Sequence, residues 1–215
     1  LLGGEILGEE YEEAGRRLRE LNRTPEASLL PVLETWSYTV RAGDSLWHLC
    51  NSTFPKLFDT KRLEAGLVKM VNGMANDVIH PGQVLRIPKG SLELVVDKSE
   101  HGLIAYLGSV AVGAYRVGLG REGQGTPAGK FTVEERQEDP PWHRNGQRIP
   151  FGDPANELGT RWLGFYVTDE DGETKKTSYG IHGTWQPETI GKSASKGCIR
   201  MTNDEVEELF PLVAR

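Results

Sequence analysis

The sequence predicts an α+β chain of two domains: a small unit of strand, helix, helix and strand, then a mainly-β sandwich or barrel-like unit with one or two short helices. Two stretches of pattern and one cap carry that expectation. Between residues 37 and 88, short alternating segments bracket two helical ones. After "PKGS", residues 88–91, apolar residues alternate or run in short segments separated by glycine and charged turns. Near the end, "MTNDEVEELF" puts Thr202 three residues before Glu205, the pattern of a capping box, with Val206, Leu209 and Phe210 on one helical face.

Taken in order, residues 5–22 place Ile6, Leu7, Tyr11, Ala14, Leu18 and Leu21 at helical spacing, so an amphipathic helix is expected there. "RTPEASLLP" follows as a turn with two prolines, which sets residues 1–36 apart as a helical segment and linker. In "WSYTVRAGDSLWHLC", Tyr38 and Val40 alternate like a short strand, and "AGDS" turns into a helix capped by Asp44 or Ser45. "LEAGLVKMVNGM" reads as a second helix, and "DVIHPGQVLRIP" as a Pro-Gly turn and closing strand, giving a unit over 37–89. From residue 90 to 215, "LELVVD", "GLIAYLG" and "SVAVGAYRVG" read as an antiparallel meander. "GKFTV", "RWLGFYVT" and "YGIHG" add three more strands. Between them, the 26 residues of "EERQEDPPWHRNGQRIPFGDPANELG" read as a long functional loop rather than a strand pair, covering a cleft. Pro211 discourages continuation of the last helix.

Composition narrows the class. At 215 residues, 37% hydrophobic and 26% charged, the chain is ordinary globular protein. A formal charge of -6 argues against a nucleic-acid binder, which needs a basic face to neutralise phosphates. No run approaches the ~20 apolar residues of a membrane span. The chain starts at Leu1 with no segment resembling an export signal, so a processed or trimmed start is expected. Cys50 and Cys198 fit no metal spacing and are expected in different domains, so neither a metal nor an organic cofactor is expected. No feature points to an oligomeric state.

The chemistry concentrates in "IHGTWQPETIGKSASKGCIR", where His182 precedes Cys198 by sixteen residues. A cysteine becomes a nucleophile when its proton can be removed, and an imidazole within hydrogen-bond reach is the usual means at neutral pH. His182 ends a strand and is followed by Gly183, so a carbonyl from that turn could fix the ring. Gly197 directly before Cys198 leaves two peptide N–H groups able to receive a developing oxyanion, worth roughly 3 kcal/mol each. Arg200, two residues on, shares a face with Cys198 in an extended chain and could hold a substrate carboxylate. Lys196 could add positive potential, although a solvated surface charge is the commoner fate. Cys50 reads as a buried, inert residue of the first helix.

Over residues 37–88, "YTVRAGDSLWHLC", "VNGM" and "IHPGQVLRIP" resemble the LysM domain. That resemblance implies binding of N-acetylglucosamine-containing polymers such as peptidoglycan. The matching positions are Gly43, Asp44, Ser45 and Leu46 with Ile79, His80, Pro81 and Gly82. Turn geometry or core packing accounts for several of these equally well.

Over roughly 91–212, "GQGTPAGKFTV", "DPANELGTRWLGF" and "IHGTWQPETIGKSASKGCIRM" resemble the L,D-transpeptidase catalytic domain of the YkuD type. The resemblance implies a cysteine acyltransferase that opens the diaminopimelate–D-Ala bond of a peptidoglycan tetrapeptide and passes the acyl group to an amine, giving a 3-3 crosslink. It implies Cys198 as nucleophile, His182 as base, Gly183 as the orienting carbonyl, Gly197 and Cys198 as oxyanion donors and Arg200 as a residue shaping the substrate site. Ser195, Lys196, Trp185 and Asn156 are expected to line it. "NELG" stands where "NPLG" is more usual, and Lys196 where many members have histidine. Peptidoglycan is thus the expected partner and the cell envelope the expected location. The rival readings are an L,D-carboxypeptidase on the same substrate and an inactive wall-binding protein.

Overall fold

The computed structural model describes residues 12–18, 33–60 and 63–214. Helix α1 covers residues 12–18. Of the helical spacing expected over 5–22, Ile6, Leu7, Tyr11 and Leu21 lie outside the described residues. Where α1 meets the rest of the chain, Glu12 pairs with Arg116 at 3.4 Å.

The strand, helix, helix, strand order of the first unit holds. Strands β1 (Thr35–Thr39) and β2 (Val84–Pro88) pair antiparallel, Tyr38 opposite Leu85. Ser45 is the N-cap, its Oγ accepting from His48 N–H at 3.3 Å, whereas the Asp44 carboxylate is taken by Tyr38 Oη at 2.9 Å and Arg41 N–H at 2.7 Å. The first helix is broken into α2 (Leu46–His48), a π-helical turn (Leu49–Thr53) and α3 (Phe54–Leu57). Helix α4 (Ala65–Asn72) ends on Gly73 in the left-handed conformation. Tyr38, Leu46, Leu49, Cys50, Phe54, Val68, Leu85 and Ile87 form this unit's core. Cys50 is buried there, as expected.

The second unit holds two main sheets. Strands β3 (Leu92–Asp97), β4 (Gly102–Leu107) and β5 (Val110–Arg116) form the antiparallel meander. The other sheet, built from β7 (Thr132–Glu138), β10 (Arg161–Thr168), β11 (Thr174–His182) and β13 (Ile199–Arg200), runs in the order β13-β11-β10-β7. Short β6 (Leu119–Gly120) and β12 (Ser193–Ser195) pair in parallel. Leu103, Leu107, Tyr115, Leu163, Ile181 and Met201 fill the space between the sheets, and α5 (Asn203–Leu209) adds Val206 and Leu209. Among the described residues no sheet closes on itself, so the architecture is a layered β fold and not a closed barrel. The capping box forms: Thr202 Oγ1 accepts from Glu205 N–H at 3.3 Å and donates to the Glu205 carboxylate at 2.8 Å.

One expectation is corrected. The 26-residue stretch contains the rest of β7 and a hairpin, β8 (Trp142–Arg144) with β9 (Gln147–Ile149), turned by Asn145 and Gly146, both at positive φ. Asn-Gly flanked by short extended runs is a hairpin signal, and the prolines on either side obscured it.

The two units share helix α4. Val68 points into the first core, while Leu67 and Val71, one helical turn apart, join the second. Beside them Arg136 of β7 donates to Glu64 at 2.9 Å and to the Phe210 carbonyl at 2.8 Å, both side chains being largely buried.

Candidate active site

Strand β11 ends on His182, and β13 starts one residue after Cys198. The two pair in parallel, Ile181 with Ile199 and His182 with Arg200. Because paired residues of neighbouring strands share a face, His182 and Arg200 leave from one face, and Cys198 stands just ahead of β13 with its Sγ against the Ser178 carbonyl of β11. Backbone bonds fix this register: Met201 N–H donates to the His182 carbonyl at 2.9 Å, and Arg200 exchanges two bonds with Gly118.

His182 is 4% exposed. Its Nδ1 donates to the Gly183 carbonyl at 2.5 Å, which fixes the tautomer and leaves Nε2 as the acceptor. The Trp162 ring stacks beside it at 6.0 Å. Burial, with the charge of Arg200 adding to it, holds the imidazole down to about 4, against the opposing hydrogen bonds from the backbone of Gly183 and Leu158. Cys198 is partly buried, and its Sγ donates to the Ser178 carbonyl at 3.7 Å. Burial pushes this thiol up from its ordinary value, moderated by the Gly180 backbone and Arg200. At neutral pH Cys198 therefore rests as a thiol and His182 as a neutral imidazole.

Two glycines make this geometry possible. Gly197 stands at φ +113, where a Cβ would come within 2.5 Å of the Tyr179 ring. At Gly183 a Cβ would collide with Asn203 Oδ1, the atom that also accepts from Thr160 N–H at 3.2 Å. Asn203 therefore wedges between the loop before β10 and the carbonyl that orients His182.

Several expected site residues have other duties. The Gly197 N–H donates to Ser195 Oγ at 3.1 Å, so it does not point into open space as an oxyanion donor; Cys198 N–H has no partner among the described residues and is the donor that remains. Ser195 is buried, its Oγ also donating to the Cys198 carbonyl at 2.6 Å, so it braces the cysteine loop instead of meeting substrate. Asn156, 1% exposed, is no cleft residue either: its Nδ2 faces the carbonyls of Pro140, Ile149 and Pro150, and its Oδ1 accepts from Leu158 N–H. Arg200 is 7% exposed, with its terminal nitrogens on Glu157 Oε2 at 3.0 Å and Gln186 Oε1 at 3.4 Å, so its guanidinium is not open to a substrate carboxylate. Lys196 is exposed and lies 5.9 Å over the Trp142 ring. Trp185 is exposed and packs on Phe151 at 6.1 Å. These two contacts set the β8–β9 hairpin against the loop before Cys198 and the segment after it against the loop that follows His182.

Sequence reasoning missed Asn203, Gln186 and the partners of Glu157. The Asn203 signal was masked because "TND" is already explained by helix capping. Glu157 was visible only as a departure from "NPLG".

In the first unit the two expected turns lie side by side, since Val40 N–H donates to the Gln83 carbonyl at 2.9 Å and Gly82 N–H to the Val40 carbonyl at 2.8 Å. Gly43, Ser45, His80, Pro81 and Gly82 are exposed there, and Asp44 and Ile79 are partly so. Leu46 is corrected: at 1% exposure its side chain belongs to the core and cannot face a glycan. Among the described residues no group of His, Cys, Asp and Glu is arranged to hold a metal ion, and no helix is long and apolar enough to cross a membrane.

Comparison with known proteins follows this division. Residues 91–215 match the YkuD family, described as the L,D-transpeptidase catalytic domain, and residues 38–88 match the LysM domain. YqjB of Bacillus subtilis is 40% identical over 124 residues, covering 58% of this chain and 67% of that protein. YkuD of the same organism is 31% identical over 183 residues, covering 82% and 93%. Both are provisionally named as L,D-transpeptidases. Among solved structures, the catalytic domain of the E. faecium L,D-transpeptidase acylated by ertapenem is 26% identical with a TM-score of 0.43, covering 59% of this chain and 92% of that one. The chain belongs to the YkuD family of L,D-transpeptidases and carries a LysM domain ahead of the catalytic domain.

Proposed function

We propose that the protein is a cysteine-dependent acyltransferase of peptidoglycan, with residues 90–215 as the catalytic domain, 37–89 as a glycan-binding domain and 1–36 as a preceding segment. The observation that carries this reading is the β11–β13 pairing, which sets His182 opposite Arg200 and starts β13 one residue after Cys198, whose Sγ meets the Ser178 carbonyl of β11, with His182 Nδ1 engaged by the Gly183 carbonyl. It leaves His182 Nε2 as the one basic nitrogen able to take the thiol proton.

In this reading the Cys198 sulfur attacks the carbonyl between diaminopimelate and the terminal D-Ala of a tetrapeptide stem as His182 accepts its proton. The Cys198 N–H receives the developing oxyanion. Collapse breaks the C–N bond, and His182 returns the proton to the leaving D-Ala amine. An amine from a neighbouring stem then attacks the thioester, His182 removes its proton, and the sulfur leaves, giving a 3-3 crosslink. Starting from a neutral pair, the enzyme spends no free thiolate on stray electrophiles, and the proton moves only when the carbonyl is in place.

The exposed turns at Gly43–Ser45 and His80–Gly82 would engage the glycan strand, raising the local concentration of stems. Peptidoglycan as partner places the protein at the cell envelope. Intact-mass measurement after incubation with a carbapenem tests the reading: one adduct on the wild type and none on Cys198→Ala is expected. An unmodified wild type, or an adduct that survives in Cys198→Ala, contradicts it.

A further inference from the structure

Glu157, in the loop between β9 and β10, lies between two arginines at the edge of the site. Its Oε2 accepts from Arg200 at 3.0 Å, and its Oε1 lies 3.7 Å from Arg144 of strand β8. The Arg200 side chain is 8% exposed and Glu157 38%, so the first pair is shielded from solvent and the second faces it. Among the described residues, the other side chain that Arg200 bonds is Gln186, and the Arg200 Nε is buried with no partner. The carboxylate is therefore, among the described residues, the one counter-charge on a guanidinium paired in register with His182.

The loop that carries Glu157 is itself rigid. Asn156 bonds to three carbonyls and to Leu158 N–H, and the Leu158 backbone reaches His182. Asn203 closes the far end between Gly159 and Gly183. A carboxylate on such a loop keeps one position, and the charge it cancels is fixed with it. A proline in its place, as in "NPLG", could make neither pair.

We propose, resting on the acyltransferase reading above, that Glu157 is a positioning residue of the Cys198 site: it holds and neutralises Arg200 and ties the β8–β9 hairpin to it through Arg144. By offsetting part of the Arg200 charge, Glu157 adds to the burial that keeps Cys198 a neutral thiol; by holding Arg144, it keeps the β8–β9 hairpin beside Arg200. The other groups around the thiol are His182, Tyr179 and the Ser178 and Gly180 backbone on β11, Lys196 in the preceding loop with its ammonium over Trp142, and Gln186 after His182. None of them supplies a second negative charge.

The test is the pH profile of Cys198 alkylation by iodoacetamide, a probe too small to depend on substrate binding, on the full chain with Cys50 buried as an internal control. Glu157→Gln leaves Arg200 uncancelled, so the alkylation profile should move to lower pH, while Glu157→Asp, which keeps the charge, should stay with the wild type. Glu157→Asn is a second neutral variant should the glutamine protein fail to fold. Carbapenem acylation measured alongside should fall roughly tenfold in kcat/KM in the neutral variants, chiefly through KM as the hairpin loosens. An unmoved profile in a folded neutral variant overturns the role given to Glu157. If the wild type takes no adduct on Cys198, the acyltransferase reading itself fails, which the same experiment reports separately.

Discussion

Acidification should unfold this protein partly through one histidine. Below the ordinary imidazole value of 6.5, the unfolded chain binds a proton at His182, whereas the folded chain does not bind it until about 4. Across that window the unfolded state holds more protons, so stability must fall as pH falls. The gap is about 2.5 pH units at about 1.4 kcal/mol each, so about 3 kcal/mol is lost by pH 4. Urea unfolding followed by tryptophan fluorescence at pH 7, 5.5 and 4 measures it, with His182→Gln as the control. His48, His80, His101 and His143 and all carboxylates are common to both proteins and cancel in the difference. The wild type should lose about 3 kcal/mol more than the variant between pH 7 and 4. Equal losses would refute the claim that His182 is buried neutral.

Three further outcomes follow from the packing. Arg136→Met removes the buried guanidinium that bonds Glu64 and the Phe210 carbonyl and should cost about 3–5 kcal/mol, while adding Glu64→Gln should recover part of it; a single variant as stable as the wild type would deny the pair any part in joining the units. Asn156→Ala removes the staple of the loop around His182 and should cost about 2–3 kcal/mol. In that variant the β8–β9 hairpin should exchange its amide hydrogens faster, and unchanged protection would contradict the assignment. Ser195→Ala leaves the Gly197 N–H and the Cys198 carbonyl without their shared partner, so stability should fall by about 1–2 kcal/mol. Carbapenem acylation should slow with it, and an unaffected rate would show that the cysteine loop does not need this brace.

Periodicity exposed the elements of this fold because β3 alternates faces strictly, β5 runs apolar and buried, and the terminal helix carries its own cap. The hairpin at Trp142–Ile149 escaped because its strands are three residues long and bounded by prolines, too short for a period to register. At the site, the local features of Cys198, His182 and Gly183 were legible: the turn and the carbonyl beside the imidazole lie within one or two residues. What failed were statements about who bonds to whom across the fold. Whether Gly197 N–H is free depends on Ser195 turning inward, and whether Arg200 can greet a substrate depends on Glu157, 43 residues earlier. The family resemblance puts Asn156 and Ser195 on the site's lining; both are buried and spend their hydrogen bonds on backbone. The same limit applies to Leu46, whose place beside the exposed Ser45 says nothing about which way its side chain turns.

The central claim is that Cys198 carries the acyl group of a peptide stem. The most direct measurement is incubation of wild type and Cys198→Ala with a disaccharide tetrapeptide, followed by intact mass of the protein and analysis of released D-Ala and muropeptides. A transient adduct lacking one D-Ala, D-Ala release and a dimeric 3-3 product, all absent in Cys198→Ala, are expected. A wild type that binds the glycan but forms no adduct and releases no D-Ala would contradict the claim and leave a wall-binding protein.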